Sequence, residues 1–182
     1  MFKALKILDE KDKRLRQTSE EVSFPIAEED KKTVDRIVKH LTYSQIEKLS
    51  KKYNLRPGMG LAFPQLGKLK RIIVIVYEYE EGKFDNYIVV NPKIISHSEE
   101  MVALEAGEGC LSVNREVEGH VPRYARVTIT GYDLDGNKLN YRLREELAVA
   151  FQHEIDHLNG ILFFDKIDKK HPYFSENEIR LI

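Results

Sequence analysis

Apolar residues recur at roughly helical spacing from Val34 through Ile37, Val38, Leu41 and Leu49 to Tyr53, which predicts a helix over residues 28–53 with one buried stripe. Glu28, Glu29 and Asp30 open it, where acids suit the positive end of a helix dipole. Two prolines and three glycines then fall within residues 54–67, so that stretch reads as a shaped loop. Residues 71–79 and 86–95 are rich in Ile, Val and Tyr and read as strands joined near Glu81-Gly82. The first is apolar on both faces, which predicts a central strand. Residues 125–134 and 138–143 alternate around Asp135-Gly136, a hairpin signal. A second helix is predicted over 145–159, opened by Glu145 and Glu146 and stopped at Asn159-Gly160. Its apolar residues cover much of the circumference, so it should be packed on more than one side. Residues 1–27 read as an irregular arm ending near Pro25. Helices interspersed with hairpins, without βαβ alternation, predict an α+β fold of mostly antiparallel sheets packed around a central helix.

Composition narrows the setting. The 182 residues suit one domain over 1–182, with 42% hydrophobic and 32% charged positions. Twenty-nine basic and 30 acidic residues leave a net charge of −1, no footprint for DNA. One cysteine excludes an internal disulfide framework. The longest apolar run, residues 72–77, falls far short of the roughly 20 residues that span a bilayer, and no membrane role is expected. The opening MFKALKILDE is charged by residue 3 and lacks the apolar centre of a secretory signal. These features fit a reducing cytoplasmic setting.

The second predicted helix carries Gln152-His153-Glu154-Ile155-Asp156-His157. Residues i and i+4 share a helix face about 6 Å apart along the axis, so His153 and His157 can hold one divalent metal. A glutamate beside the first histidine can then act on water activated there. Two ordinary histidines on a polar face remain the plain alternative. A metal site needs a third ligand and an open position. Downstream candidates are His171, Asp165, Asp168, Glu176 and Glu178; the stronger one lies upstream. Cys110 sits in Glu108-Gly109-Cys110-Leu111-Ser112, a glycine-flanked polar bend. A lone cysteine is more often a small core residue, but sulfur with two imidazoles suits first-row divalent metals.

Three blocks, GMGLAFPQ (58–65), EGCLS (108–112) and QHEIDH (152–157), occur in this order. Together they resemble the three signature motifs of the peptide deformylases. DKRLRQTSEEV (12–22) and VPR (121–123) are similar as well. The long stretch between the first two motifs, and a C-terminal part without an obvious helix, resemble the longer-insertion class of Gram-positive bacteria and mycoplasmas. The resemblance implies that Cys110, His153 and His157 hold one divalent metal, ferrous iron first, with zinc, nickel or cobalt as alternatives. It implies hydrolysis of the formyl group from N-formyl-methionyl nascent peptides, releasing formate. Glu154 would move the proton, while Gln65 and the backbone N–H of Leu111 would hold the oxyanion. Gly58, Gly60, Leu61, Gly109 and Arg123 are expected along the substrate, with Val149 and Ala150 lining the methionine pocket. For Val149 and Ala150, core packing is an equal reading; for Arg123, a capped surface pair is.

Gly58 and Gly60 support this independently, since backbone without side chains lets a ligand approach and pair as an added strand. One position departs from the family: Phe63 stands where alanine is usual, and its ring should either narrow the cleft or fill a neighbouring void. The competing reading is a zinc endopeptidase on the same helix. It needs a ligand downstream and leaves two blocks unexplained. A third reading, a structural metal in a binding module, needs a fourth protein ligand. Asp133-Leu-Asp135-Gly136-Asn137 resembles a calcium loop only at its start, because its glycine is misplaced and Arg144 stands where an acid is needed. Lys68, Lys70 and Arg71 form a small basic cluster, a candidate contact with the ribosome near the nascent-chain exit. The working unit is expected to be a monomer.

Overall fold

The computed structural model describes residues 2–182. Three α-helices, α1 (Glu28–Gln45), α2 (Glu47–Tyr53) and α3 (Glu145–Leu158), accompany eight strands. The strands are β1 (Gly60–Ala62), β2 (Ile72–Glu80), β3 (Lys83–His97), β4 (Met101–Ala103), β5 (Arg123–Tyr124), β6 (Arg126–Tyr132), β7 (Lys138–Arg144) and β8 (Arg180–Leu181). Five of them form an antiparallel sheet in the order β1-β2-β3-β6-β7. A smaller sheet has the order β5-β4-β8.

The alternation of β2 explains the layering. Ile73 and Ile75 face α3 and pack with Phe151, Ile155 and Leu158. Ile72, Val74 and Val76 face the other way and pack with Val34, Ile37 and Leu41 of α1. The sheet is thus covered by α1 on one side and α3 on the other, and a strand buried on both faces must be apolar throughout. Ten of the fourteen residues of α3 are buried, as expected for a helix packed on several sides.

Four features depart from the sequence expectation. The single helix over 28–53 is two helices, broken at Ile46, whose backbone is extended. Gln45 turns its amide to the carbonyls of Val76 (2.9 Å) and Gly58 (3.2 Å), and Ser44 Oγ accepts from Gly58 N–H at 3.2 Å. These tethers to the glycine loop account for a break without proline or glycine. The loop at 54–67 contains the edge strand β1 and a single 3-10 turn at Phe63–Leu66. The small sheet was not visible in the pattern, because strands of two or three residues carry no periodicity. Its β4–β8 pair is parallel, an exception to the antiparallel rule. The hairpin at Asp135-Gly136 forms as expected. Asp133 Oδ1 accepts from the backbone of Asp135 and Asn137 at 2.9 and 2.8 Å, which uses the acid as a turn cap.

Candidate metal centre

Cys110 lies in the bend between β4 and β5, and the bend is held from three directions. Arg56 Nη2 donates to the carbonyls of Cys110 (2.7 Å) and Val113 (3.1 Å). The backbone N–H of Ser112 points at Cys110 Sγ from 3.4 Å, and Gln65 Nε2 from 3.6 Å. Gln65 is itself fixed. Its Oε1 accepts from Ala62 N–H at 2.8 Å, so its NH2 group faces the cysteine and Ser112 Oγ, 3.1 Å away. Both ends of the amide are thereby assigned.

One turn apart on α3, His153 and His157 present their rings with centroids 5.0 Å apart. His157 Nε2 lies 3.3 Å from Cys110 Sγ. One donor atom each from Cys110, His153 and His157 falls within 4.8 Å of the others. That spacing and donor set suit a tetrahedral divalent ion with one position left for water. Among the described residues no fourth cysteine, histidine or carboxylate joins the trio. Of the downstream candidates, His171 is paired with Glu178 at 2.9 Å and Asp165 with Arg16. The ligand set that the endopeptidase and structural-metal readings need is therefore not assembled.

The surrounding charges orient this trio. His153 Nδ1 is 2.8 Å from Glu108 Oε2, leaving its Nε2 as the free nitrogen. Arg123 grips Glu108 through Nε (2.7 Å) and Nη2 (2.9 Å) and reaches Asp156 through Nη1. Burial works to raise the Glu108 pKa, but Arg123 and His153 outweigh it and hold the carboxyl at about 2. Burial likewise works to lower the His153 pKa, and its partners Cys110 and Glu108 overturn that and raise it well above the ordinary value. His157, with no acid on Nδ1, is pushed well below the ordinary value by burial and by the neighbouring His153 charge. Glu154 has no cationic partner in contact, and burial lifts its pKa to about 7.

Unmet polar atoms mark the same place. Of three buried side-chain polar atoms without a partner among the described residues, two are Glu154 Oε2 and His157 Nδ1; the third is Ser19 Oγ. Buried polar atoms normally find partners, so an orphan carboxylate oxygen facing a cleft suggests a group that waits for substrate or solvent.

A cleft of about 290 Å³ opens above the trio. Gly58, Gly60, Gln65, Gly109, Cys110, Leu111, Val149, Ala150, His153 and Glu154 all line it, so most of the expected residues converge. His157 is buried behind Cys110 and does not line the cleft. Two others do not reach it either. Leu61 points into the core beneath α1 and can offer only backbone. Arg123 is 1% exposed, and its guanidinium is committed to Glu108 and Asp156, so it is turned away from both the cleft and the surface. Phe63 is fully buried in the α1-side core, which settles its role as filler. Lys68 and Lys70 are paired with Glu29 and Asp30 and do not form a free basic patch.

Sequence reasoning missed Glu108 as the orienting acid, although it stands inside the EGCLS block. It also missed Ser44, Gln45 and Arg56, whose polar groups brace the glycine loop and the cysteine bend. Only their contacts reveal them. The glycines leave room for neighbouring side chains that a Cβ would displace. A Cβ on Gly60 would collide with the carboxylate of Glu154, and one on Gly58 would meet Leu111 Cδ1 at 2.7 Å.

Compared with known proteins, residues 4–173 match the polypeptide deformylase family. Peptide deformylase 2 of Bacillus cereus is 44% identical over 172 residues, covering 94% of each chain. Peptide deformylase 2 of Bacillus subtilis is 46% identical over 168 residues, 92% of this chain and 91% of the other. Among solved structures, a plant peptide deformylase superposes with a TM-score of 0.76 at 31% identity, covering 91% of this chain and 82% of that one.

Proposed function

Because the chain belongs to the peptide deformylase family, metal-dependent hydrolases that remove the N-formyl group from nascent polypeptides, we propose the following division of labour for its residues. Cys110, His153 and His157 hold the divalent ion, ferrous iron in the working enzyme, with zinc, nickel or cobalt as substitutes. The ion supplies Lewis acidity and lowers the pKa of water at the open position. The remaining steps belong to the chain. Glu154 accepts the proton of the attacking water and delivers it to the departing amine, leaving formate and a free N-terminal methionine. Gln65 Nε2 and the Leu111 N–H donate to the formyl oxygen as negative charge develops on it.

The peptide binds as an added strand. β1 is an edge strand of the large sheet, paired on one side only, so its backbone at Gly60 is open to an extended ligand. Gly58 and Gly109 keep side chains out of that path. Val149 and Ala150, one turn before His153, form the apolar wall for the methionine side chain. The unit is the whole span 1–182, working as a monomer in the cytoplasm where formylated chains emerge. The encounter rests on the cleft, since the cluster at Lys68 and Lys70 is neutralised by Glu29 and Asp30.

The observation that carries this reading is the convergence of one sulfur and two imidazoles beneath an unpartnered carboxylate. The test is anaerobic purification, metal analysis and formate release from formyl-Met-Ala. About one metal per chain and formate release that disappears in Cys110→Ala are expected. Metal held normally by Cys110→Ala would overturn the ligand assignment.

A further inference from the structure

Arg56 is an exposed cation lining the cleft, and among the described residues no carboxylate pairs with it. Its guanidinium is spent on the cysteine bend instead. Nη2 donates to the carbonyls of Cys110 (2.7 Å) and Val113 (3.1 Å), and Nη1 donates to Asn114 Oδ1 (2.7 Å). Asn114 is itself oriented, because its Nδ2 donates to Asp9 Oδ2 at 2.7 Å and leaves the amide oxygen for Arg56. The Cys110 carbonyl also accepts from Val113 N–H at 3.1 Å, which closes a four-residue turn over 110–113. Two donors, one of them fully charged, therefore meet on a single carbonyl oxygen.

That carbonyl belongs to the peptide group whose other end is the Leu111 N–H. The group is trans, and a trans peptide is planar with its C=O and N–H pointing in opposite directions. Gripping the carbonyl thus sets where the N–H points. The Leu111 N–H has no acceptor among the described residues, whereas the next two on the turn are used: Ser112 N–H points at Cys110 Sγ and Val113 N–H bonds the Cys110 carbonyl. Hydrogen bonds in a chain polarise one another, so a donor on the carbonyl strengthens what the N–H can give. The guanidinium therefore makes the Leu111 N–H a better donor as well as a fixed one.

We propose that Arg56 is a positioning residue for the hydrolytic step, aiming and polarising the Leu111 N–H through the peptide group between them. The proposal rests on the functional reading above, which gives that N–H its place at the formyl oxygen. The benefit grows as negative charge grows on the oxygen, so it belongs to kcat and not to KM. Removing an oxyanion donor outright costs about 10²–10³-fold in kcat, and losing the cation behind the donor should cost less, about tenfold.

The experiment compares the cobalt-loaded protein with its Arg56→Ala and Arg56→Lys variants, using formyl-Met-Ala as substrate. The visible absorption of cobalt bound to thiolate reports on the metal site. Expected for Arg56→Ala are a kcat about tenfold lower, a KM within about twofold of wild type, about one cobalt per chain and an unchanged spectrum. Guanidinium chloride, well below denaturing concentrations, should restore part of the lost kcat in Arg56→Ala, and sodium chloride at the same concentration should not. Arg56→Lys, which keeps the charge without the planar fork, should fall between wild type and Arg56→Ala. An unchanged kcat in Arg56→Ala, a loss confined to KM, or no rescue by guanidinium overturns the proposal. So does lost cobalt or an altered spectrum, which would make Arg56 a prop of the Cys110 ligand alone. Failure of the wild type to release formate overturns the functional reading and the proposal with it.

Discussion

α1 and α3 flank the same five-stranded sheet but treat buried polar groups in opposite ways. On α1, Thr33 Oγ1 donates to the Glu29 carbonyl at 2.8 Å, His40 Nδ1 accepts from Leu5 N–H at 3.2 Å, and the Asp30 carboxylate is met by Lys68 and Lys70. α3 buries Gln152, His153, Glu154, Asp156 and His157 in one run, and leaves Glu154 Oε2 and His157 Nδ1 unmet. Leaving a buried polar group unpaired costs about 1–3 kcal/mol, so the two faces of the sheet are under different demands. α1 holds the fold together, whereas α3 carries groups whose partners arrive from outside.

Substitutions on the two helices should separate these demands. The largest effect is expected from Glu154→Gln. Turnover should fall by about 10²–10⁴-fold with metal content unchanged, since only the proton carrier is lost. Steady-state formate release with metal analysis checks this, and a fully active variant would remove Glu154 from the mechanism. Next comes Arg123→Leu. It leaves Glu108 with only His153 (2.8 Å) and Asp156 with only Lys166 (3.2 Å), breaks a buried charge network, and should cost about 3 kcal/mol of stability, read by denaturant unfolding.

The third prediction concerns pH in the metal-free protein. The Glu154 pKa is raised from 4.5 to about 7 in the fold, so the folded state holds a proton that the unfolded state has released. Stability relative to Glu154→Gln should therefore fall as pH climbs from about 4.5 to about 7, by a total on the order of 3 kcal/mol, and level off above. Loading zinc should move the titration to lower pH, because a nearby cation favours the carboxylate. Difference infrared spectra of wild type against Glu154→Gln would locate it. The smallest effect is expected on the other helix. Ile37→Val, in the α1-side core, should cost about 1 kcal/mol and roughly 2–4 °C in Tm, with kcat/KM unchanged.

The contrast also explains what could be read from the chain. Both long helices and the two hairpin-forming strand pairs declare themselves by periodicity, and β2 shows its interior place by the unbroken apolar stretch over residues 72–77. The trio Cys110, His153 and His157 is legible because the i, i+4 spacing fixes two members and the only cysteine offers the third. What stays hidden is long-range polar contact. The pairing of Arg123 with Glu108 and Asp156 spans 15 and 33 positions, so no local pattern distinguishes a buried arginine from a surface one. The break at Ile46 is similarly silent, because its cause is the reach of Gln45 to strands that follow it.

The carboxylate of Glu154 fills the space that any side chain at position 60 would need. The two residues are coupled through that space. Enlarging the glycine displaces the proton carrier, and shortening the acid to make room withdraws the carrier from its place. The two positions, far apart in the chain, therefore share one small volume, so that a side chain gained at position 60 is felt first at the group that carries the proton.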